Sequence, residues 1–201
     1  MFKYLEMILG NLILSIAVSI IRYVGMGTDP LVTLNSGLSN IIPHSFGTVS
    51  LLTNIFFVIN IFNINKKLIK VGTMFNMIML GYLQDYFISI YTFTLTNYWS
   101  KLLLLGFGIV LYCISIALII NADEGISPYE GFVIVMAQKF NLSFAKIKIG
   151  SDLLLLIVGF ILGAVVYMGT FIIALFTGPI ISLIVNKLFE IENKLLEINK
   201  N

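Results

Sequence analysis

The chain has 201 residues, of which 59% are hydrophobic and 11% charged, with a formal net charge of +2 and a mean hydropathy of +1.02. A soluble domain of that composition would expose large apolar patches, so the chain belongs in a bilayer. The small net charge, with basic residues scattered between apolar runs, excludes a nucleic-acid partner, and one cysteine, Cys113, excludes an intramolecular disulfide and a thiolate metal cluster.

Apolar runs at 5–24, 46–63, 68–90, 102–121, 149–166 and 169–187 each approach the ~20 residues that a helix needs to cross hydrocarbon. They are continuous and rich in Ile and Leu, unlike the short alternating segments of a barrel. The first follows Lys3 but ends without a small-residue cleavage site, so it reads as a permanent helix and not a signal peptide.

After that run comes Gly27-Thr28-Asp29-Pro30, in which Asp29 is placed to cap a short helix whose first residue is Pro30. The helix covers about 31–42, too brief to span. Leu31, Leu34, Leu38 and Ile41 fall on one side of it, and Thr33, Asn35, Ser36, Ser39 and Asn40 on the rest, which marks a wet or protein-facing side. The motif recurs as Gly125-Ile126-Ser127-Pro128 with Glu130, where Ser127 and Glu130 are spaced as a capping box for a second short helix over 129–140. Both helices are open to two placements, flat in the interface or re-entrant with the capped end aimed at a cavity.

The recurrence extends along the chain. Residues 10–54 overlie 108–152 at a constant offset of 98 (108 less 10), pairing Gly10 with Gly108, Gly27 with Gly125, Pro30 with Pro128 and Asn54 with Asp152. One residue is lost in the next loop, after which Gly72-Thr73 meets Gly169-Thr170 and Gly81 meets Gly178. Glycines and prolines in register mark repeated backbone requirements, hence a duplication. With three spans per half the second half is upside down, a frequent plan for transporters. The division is 1–90 as the first repeat, 91–100 as an external loop carrying Tyr91, Phe93, Tyr98 and Trp99, 101–187 as the second repeat, and 188–201 as a cytoplasmic helical tail. With the N-terminus inside, Lys3, Lys66, Lys67, Lys70, Lys139, Lys146, Lys148, Lys187, Lys194 and Lys200 fall in the cytoplasm and only Arg22 and Lys101 outside. The predicted fold is an all-α integral membrane protein: six transmembrane helices as two inverted three-helix repeats, each with a short Pro-capped non-spanning helix.

Asp152 lies about eight residues into its helix, roughly 12 Å deep, where a carboxylate reads as functional. With its mate Asn54 it is expected to flank a substrate or ion site at the repeat interface, together with Thr28, Asp29, Ser127 and Glu130. The competing reading is a structural pair with Lys148, one turn earlier. Gly72, Gly81, Gly169 and Gly178 read as close-packing points beside the hinge set Gly27, Pro30, Gly125 and Pro128. Gly159 and Gly163 form a GxxxG, first a packing motif and second a homodimer face. Asp85 and Gln84 read as boundary residues, and His44 has no second ligand for a metal. Walker A, GxSxG and HExxH patterns are absent, so no enzyme, cofactor or metal site is expected.

Together, Gly25-Met-Gly-Thr-Asp-Pro30, Gly37-Leu-Ser39, Ser45-Phe-Gly47, Gly125-Ile-Ser-Pro-Tyr-Glu130, Gly150-Ser-Asp152 and Gly169-Thr170 through Gly178-Pro179 resemble the bacterial YczE/YyaS/YitT family of integral membrane proteins, over almost the whole chain. The resemblance implies a small multi-pass protein of the bacterial inner membrane and names no substrate. The first expectation is a small secondary transporter or channel for a small molecule or ion, its partners being that substrate and the lipid bilayer. The alternatives are a substrate-binding membrane subunit of a larger transporter and a non-transporting accessory protein.

Overall fold

A computed structural model describes residues 2–44, 46–91 and 96–198, and all the regular structure among them is helical. In chain order the helices are α1 (Phe2–Val24), α2 (Pro30–Ile41), α3 (Phe46–Asn65, followed by a 3-10 turn Lys66–Leu68), α4 (Val71–Ile90), α5 (Tyr98–Ala122), α6 (Pro128–Phe140), α7 (Phe144–Ile161) and α8 (Met168–Ile198). The two short elements expected after the proline motifs are α2 and α6. Phe93 of the connecting loop lies outside the described residues, as do the surroundings of Gly81, Gln84 and Asp85 within α4.

Local chemistry explains the boundaries. The Asp29 carboxylate accepts the Leu31 N–H at 2.8 Å and Pro30 occupies the first helical position, which starts α2. At the end of α6, Asn141 adopts φ 53°, and its N–H returns to the carbonyls of the last turn. The fifth apolar run extends to 166 in the sequence, but α7 stops at Ile161, because Gly163 at φ 84° turns the chain and 164–167 run on without helix. Beyond it α8 continues unbroken from Met168 through Pro179 into the tail.

Among the described residues, four helical segments are long and apolar enough to cross a membrane: Lys3–Val24, Thr48–Leu68, Tyr98–Ala122 and Met168–Ile191. The other two expected spans correspond to α4 and α7, and α7 carries Lys146, Lys148 and Asp152. The distribution of residue types suits a hydrocarbon solvent. Asn11, Ser15, Ser19, Thr73, Asn76, Thr170 and Thr177 are buried, whereas Leu51, Phe56, Phe62, Leu103, Phe160 and Phe176 are exposed. On α2 part of the polar side is packed. Thr33 and Asn35 are buried, bonded to Asp29 O and to Thr53 Oγ1, while Ile41 is exposed.

α1 and α5 form the centre, through Leu14, Ala17, Val18 and Ile21 against Ile109, Cys113 and Ile116. They are antiparallel: Glu6 meets Asn121, Gly10 sits against Ser115 and Ile119, and Gly108 against Ala17 and Ile21. These contacts are reciprocal. Under the offset of 98, Gly10 on Ile119 becomes Gly108 on Ile21, and Gly10 on Ser115 becomes Gly108 on Ala17.

The loops repeat the same exchange. Gly169 N–H donates to Met26 O at 3.0 Å, and Gly72 N–H to Glu124 O at 3.1 Å. Gly27, at φ 148°, passes so close to α8 that a Cβ would lie 2.4 Å from Thr170 N; Gly125, at φ 132°, would put one 2.4 Å from Thr73 N. Both positions therefore exclude a side chain twice over, by backbone angle and by space.

Gly125→Ala and Gly27→Ala are each expected to lower stability by about 2–4 kcal/mol through strain and overpacking. Unfolding by sodium dodecyl sulfate titration measures this. Gly106→Ala, where a Cβ meets nothing within 4 Å, should stay near wild type.

Candidate functional site

Four parts of the chain converge on a buried charged cluster: the loop into α2, the middle of α5, the first turn of α6 and the first half of α7. Asp29 caps α2 with one oxygen, and its other oxygen, Oδ2, accepts the Tyr112 phenol at 2.8 Å. The same phenol lies 3.4 Å from Glu130 Oε1. On α7, Lys148 Nζ sits 2.9 Å from each Asp152 oxygen, because residues four apart share a helix face. Tyr129, fixed by Pro128 at the α6 start, donates to Asp152 Oδ1, lies 3.0 Å from Ser151 Oγ, and carries the Lys148 ammonium 4.5 Å above its ring centroid.

Burial sets the energetics of this cluster. Lys148 and Asp152 are 0% exposed, Glu130 5% and Asp29 7%. One cation faces three carboxyl groups in the protein interior, and an uncompensated charge there costs several kcal/mol. The pair Lys148–Asp152 is internally balanced and fully hydrogen-bonded. Among the described residues, Asp29 and Glu130 are not matched by a cation of their own.

The remaining predicted site residues are distributed as follows. Thr28 ties its loop to α8, its N–H donating to Thr170 Oγ1 at 3.1 Å and its hydroxyl lying 3.1 Å from that of Thr33. Asn54 is half-buried on α3 and makes none of the cluster's hydrogen bonds. The expected capping box of Ser127 and Glu130 does not form: Ser127 makes no side-chain cap bond, and its buried hydroxyl has no partner among the described residues. Glu130 turns toward Tyr112 instead, its Oε1 3.4 Å from the phenol oxygen. Lys148, counted among the cytoplasmic charges, is instead wholly buried beside Asp152. α2 packs closely on α7 at Gly37 and Gly159, and Gly178 abuts Lys148 and Ala145 O.

Two cluster members, Tyr112 and Tyr129, escaped sequence reasoning, and Lys148 was named only as a structural partner of Asp152, a pair that does form. A signal was present in the internal alignment of the sequence. Their first-half counterparts at the offset of 98 are Leu14, Leu31 and Ser50, and Glu130 faces Val32. Every one of these replacements by a larger polar group in the second copy maps to the same cluster.

The helical architecture, the apolar exterior and the buried ionic core define a polytopic membrane protein. Residues 1–186 match the profile of a family of unknown function, DUF6198, and the chain belongs to that family. It is 27% identical over 177 residues to an uncharacterized protein of Haemophilus influenzae, covering 87% of this chain and 79% of that one. It is also 24% identical over 112 residues to the uncharacterized membrane protein YczE of Bacillus subtilis, covering 56% of this chain and 52% of YczE, in agreement with the resemblance read from the motifs. No solved structure matches.

Lys148→Met alone strands the Asp152 carboxylate and should destabilise the protein by about 3–5 kcal/mol, whereas Lys148→Met with Asp152→Asn should recover most of that loss. Detergent unfolding of the two variants against wild type reads the difference.

Proposed function

We propose that the protein is a small secondary transporter of the bacterial inner membrane, with six spans, two inverted halves and both termini in the cytoplasm. The observation that carries the reading is the buried excess of carboxyl groups, Asp29 and Glu130, at the starts of two short helices that come one from each half. A purely structural core gains nothing from such an excess, and an intramembrane ionisable group of this kind belongs with substrate or ion handling.

Inversion is supported by the antiparallel α1 and α5 with their exchanged contacts, since equivalent helices running in opposite directions are what a twofold axis in the membrane plane produces. The re-entrant placement of α2 and α6 is supported by burial. Asp29, Pro30, Ser127 and Pro128 at the starts are inside, while Ile41 and Phe140 at the ends are 63% and 59% exposed. Discontinuous helices that bring their N-terminal ends together at mid-membrane are the usual location of a transporter's site.

One observation favours a second reading, a non-transporting accessory protein. Asp152, the acid expected to do the chemistry, is in a dry bidentate pair with Lys148. The transport reading therefore moves the working site from Asp152 and Asn54 to Asp29 and Glu130, with Asp152 and Lys148 holding Tyr129 and α6 in position.

Reconstituted protein on a solid-supported membrane should give solute-evoked currents in a screen of amino acids, sugars, amines and organic acids, and Asp29→Asn should reduce any such current at least tenfold. In a Cys113→Ala background, cysteines at 28 and 127 should react with a membrane-impermeant thiol reagent from opposite faces. Absence of current together with cap positions closed from both faces supports the accessory reading instead.

A further inference from the structure

The hydrogen bonding of Tyr112 constrains the charge on its two neighbours. A phenol has one hydrogen to give. At 2.8 Å Asp29 Oδ2 is the nearer acceptor and takes it; Glu130 Oε1 then lies 3.4 Å from an oxygen with only lone pairs to offer. Two acceptors facing each other in a dry interior repel, unless the carboxyl on that side carries a hydrogen and donates it to the phenol oxygen.

Asymmetry between the two acids decides which one holds that hydrogen. Both acids lie at helix starts, but Asp29 accepts the Leu31 N–H as well as the phenol, so negative charge is the better supported there. Glu130 lies within hydrogen-bond distance of the phenol. The cation nearby, Lys148, is engaged by both oxygens of Asp152 and by the Tyr129 ring. The charged groups around Glu130 are thus Asp29 from the α2 start and Lys148 and Asp152 from α7; α5 contributes Tyr112, and α3 contributes the apolar Phe57 and Ile61.

We infer that Asp29, Tyr112 and Glu130 form a carboxyl pair holding one proton, resident on Glu130 in this conformation, and that a proton is the ion coupled to transport. The coupling half of this statement rests on the transporter reading; the shared proton does not. Transfer needs no outside reactant. The Glu130 O–H bond breaks as its proton passes to the phenol oxygen, while the phenol's own proton passes to Asp29 Oδ2, so the pair holds one proton and Tyr112 is a neutral phenol before and after. The proton thereby moves from the start of α6 to the start of α2, that is, from one half of the molecule to the other.

Infrared spectroscopy of the purified protein in lipid nanodiscs tests this without any substrate. At neutral pH the wild type should show a carbonyl band from an un-ionised buried carboxyl. The band should move when glutamate is labelled with carbon-13, stay when aspartate is labelled, and vanish reversibly as the pH is raised. Glu130→Gln should abolish it, and Tyr112→Phe should shift its frequency. A wild-type spectrum without such a band, or one whose band follows aspartate labelling, overturns the shared-proton assignment, and because the labelling is done on the native chain this outcome does not depend on a variant folding. A band that survives Glu130→Gln, or that ignores Tyr112→Phe, overturns it equally. Failure of the solute screen with the band present would remove only the coupling role.

Discussion

A charged side chain in hydrocarbon has no solvent to turn to, and this constraint organises the molecule around Asp29, Glu130, Lys148 and Asp152. Each must be covered, and each needs hydrogen-bond partners within the protein. The covering is done in part by the two short helices. α2 and α6 bring their capped starts inward, so the groups that most need polar company meet backbone N–H groups, two tyrosines and one lysine in the same small volume. Apolar side chains, which elsewhere would be drawn inside, are free to cover the outside; Phe56, Phe62 and Phe160 are each more than half exposed. Hydrophobic collapse therefore does not select this arrangement. Close packing and polar satisfaction do.

Close packing explains where the glycines stand. The loop ahead of α6 passes against the start of α4, and the loop ahead of α2 against the start of α8, with backbone bonds from Gly72 to Glu124 and from Gly169 to Met26. These two contacts hold each short helix to a long one of the opposite half. They also fix the distance between the capped starts and the α1–α5 centre, where Tyr112 stands. A shift of either loop would carry Asp29 or Ser127 with it, so the glycine contacts and the ionic cluster are one mechanical unit.

The periodicity of the fold was legible in the sequence because its signals are backbone requirements. Pro30 and Pro128 announce helix starts, and Gly27 and Gly125 announce positions without room for a side chain, whatever the environment. The site was only partly legible. Asp29 and Glu130 were found because caps have a local grammar, and Asp152 because an acid deep in an apolar run is conspicuous. Asn54 was drawn in by symmetry and lies outside the cluster, since the register that pairs it with Asp152 fixes depth along the helix but not which neighbours α3 and α7 meet. Tyr112 and Tyr129 look like ordinary aromatic filler in a chain that is 13% aromatic, and their hydroxyls acquire meaning only when tertiary packing brings carboxyls to them. The failed capping box has the same origin: spacing offered Glu130 to the α6 amides, and Tyr112, 18 residues earlier in the chain, competed for it.

The scaffold and the site obey different symmetries, and the difference bears on function. Contacts among glycines and backbone exchange faithfully between the halves, from Gly10 on Ile119 and Gly108 on Ile21 to the paired loop bonds. The ionic residues do not: Leu14, Leu31, Val32, Ser50 and Asn54 stand where the second half has Tyr112, Tyr129, Glu130, Lys148 and Asp152, and only at Asp29, opposite Ser127, does the first half carry the charge. A scaffold with two equivalent arrangements lets a packed core switch between discrete states. A symmetric site would make those states equal in energy and in ligand affinity, so binding could not bias one over the other. Under the transporter reading proposed above, placing Asp29 in one half and Glu130 in the other would make two such arrangements inequivalent for a charge shared between them, which is the condition for a bound ion to shift the equilibrium.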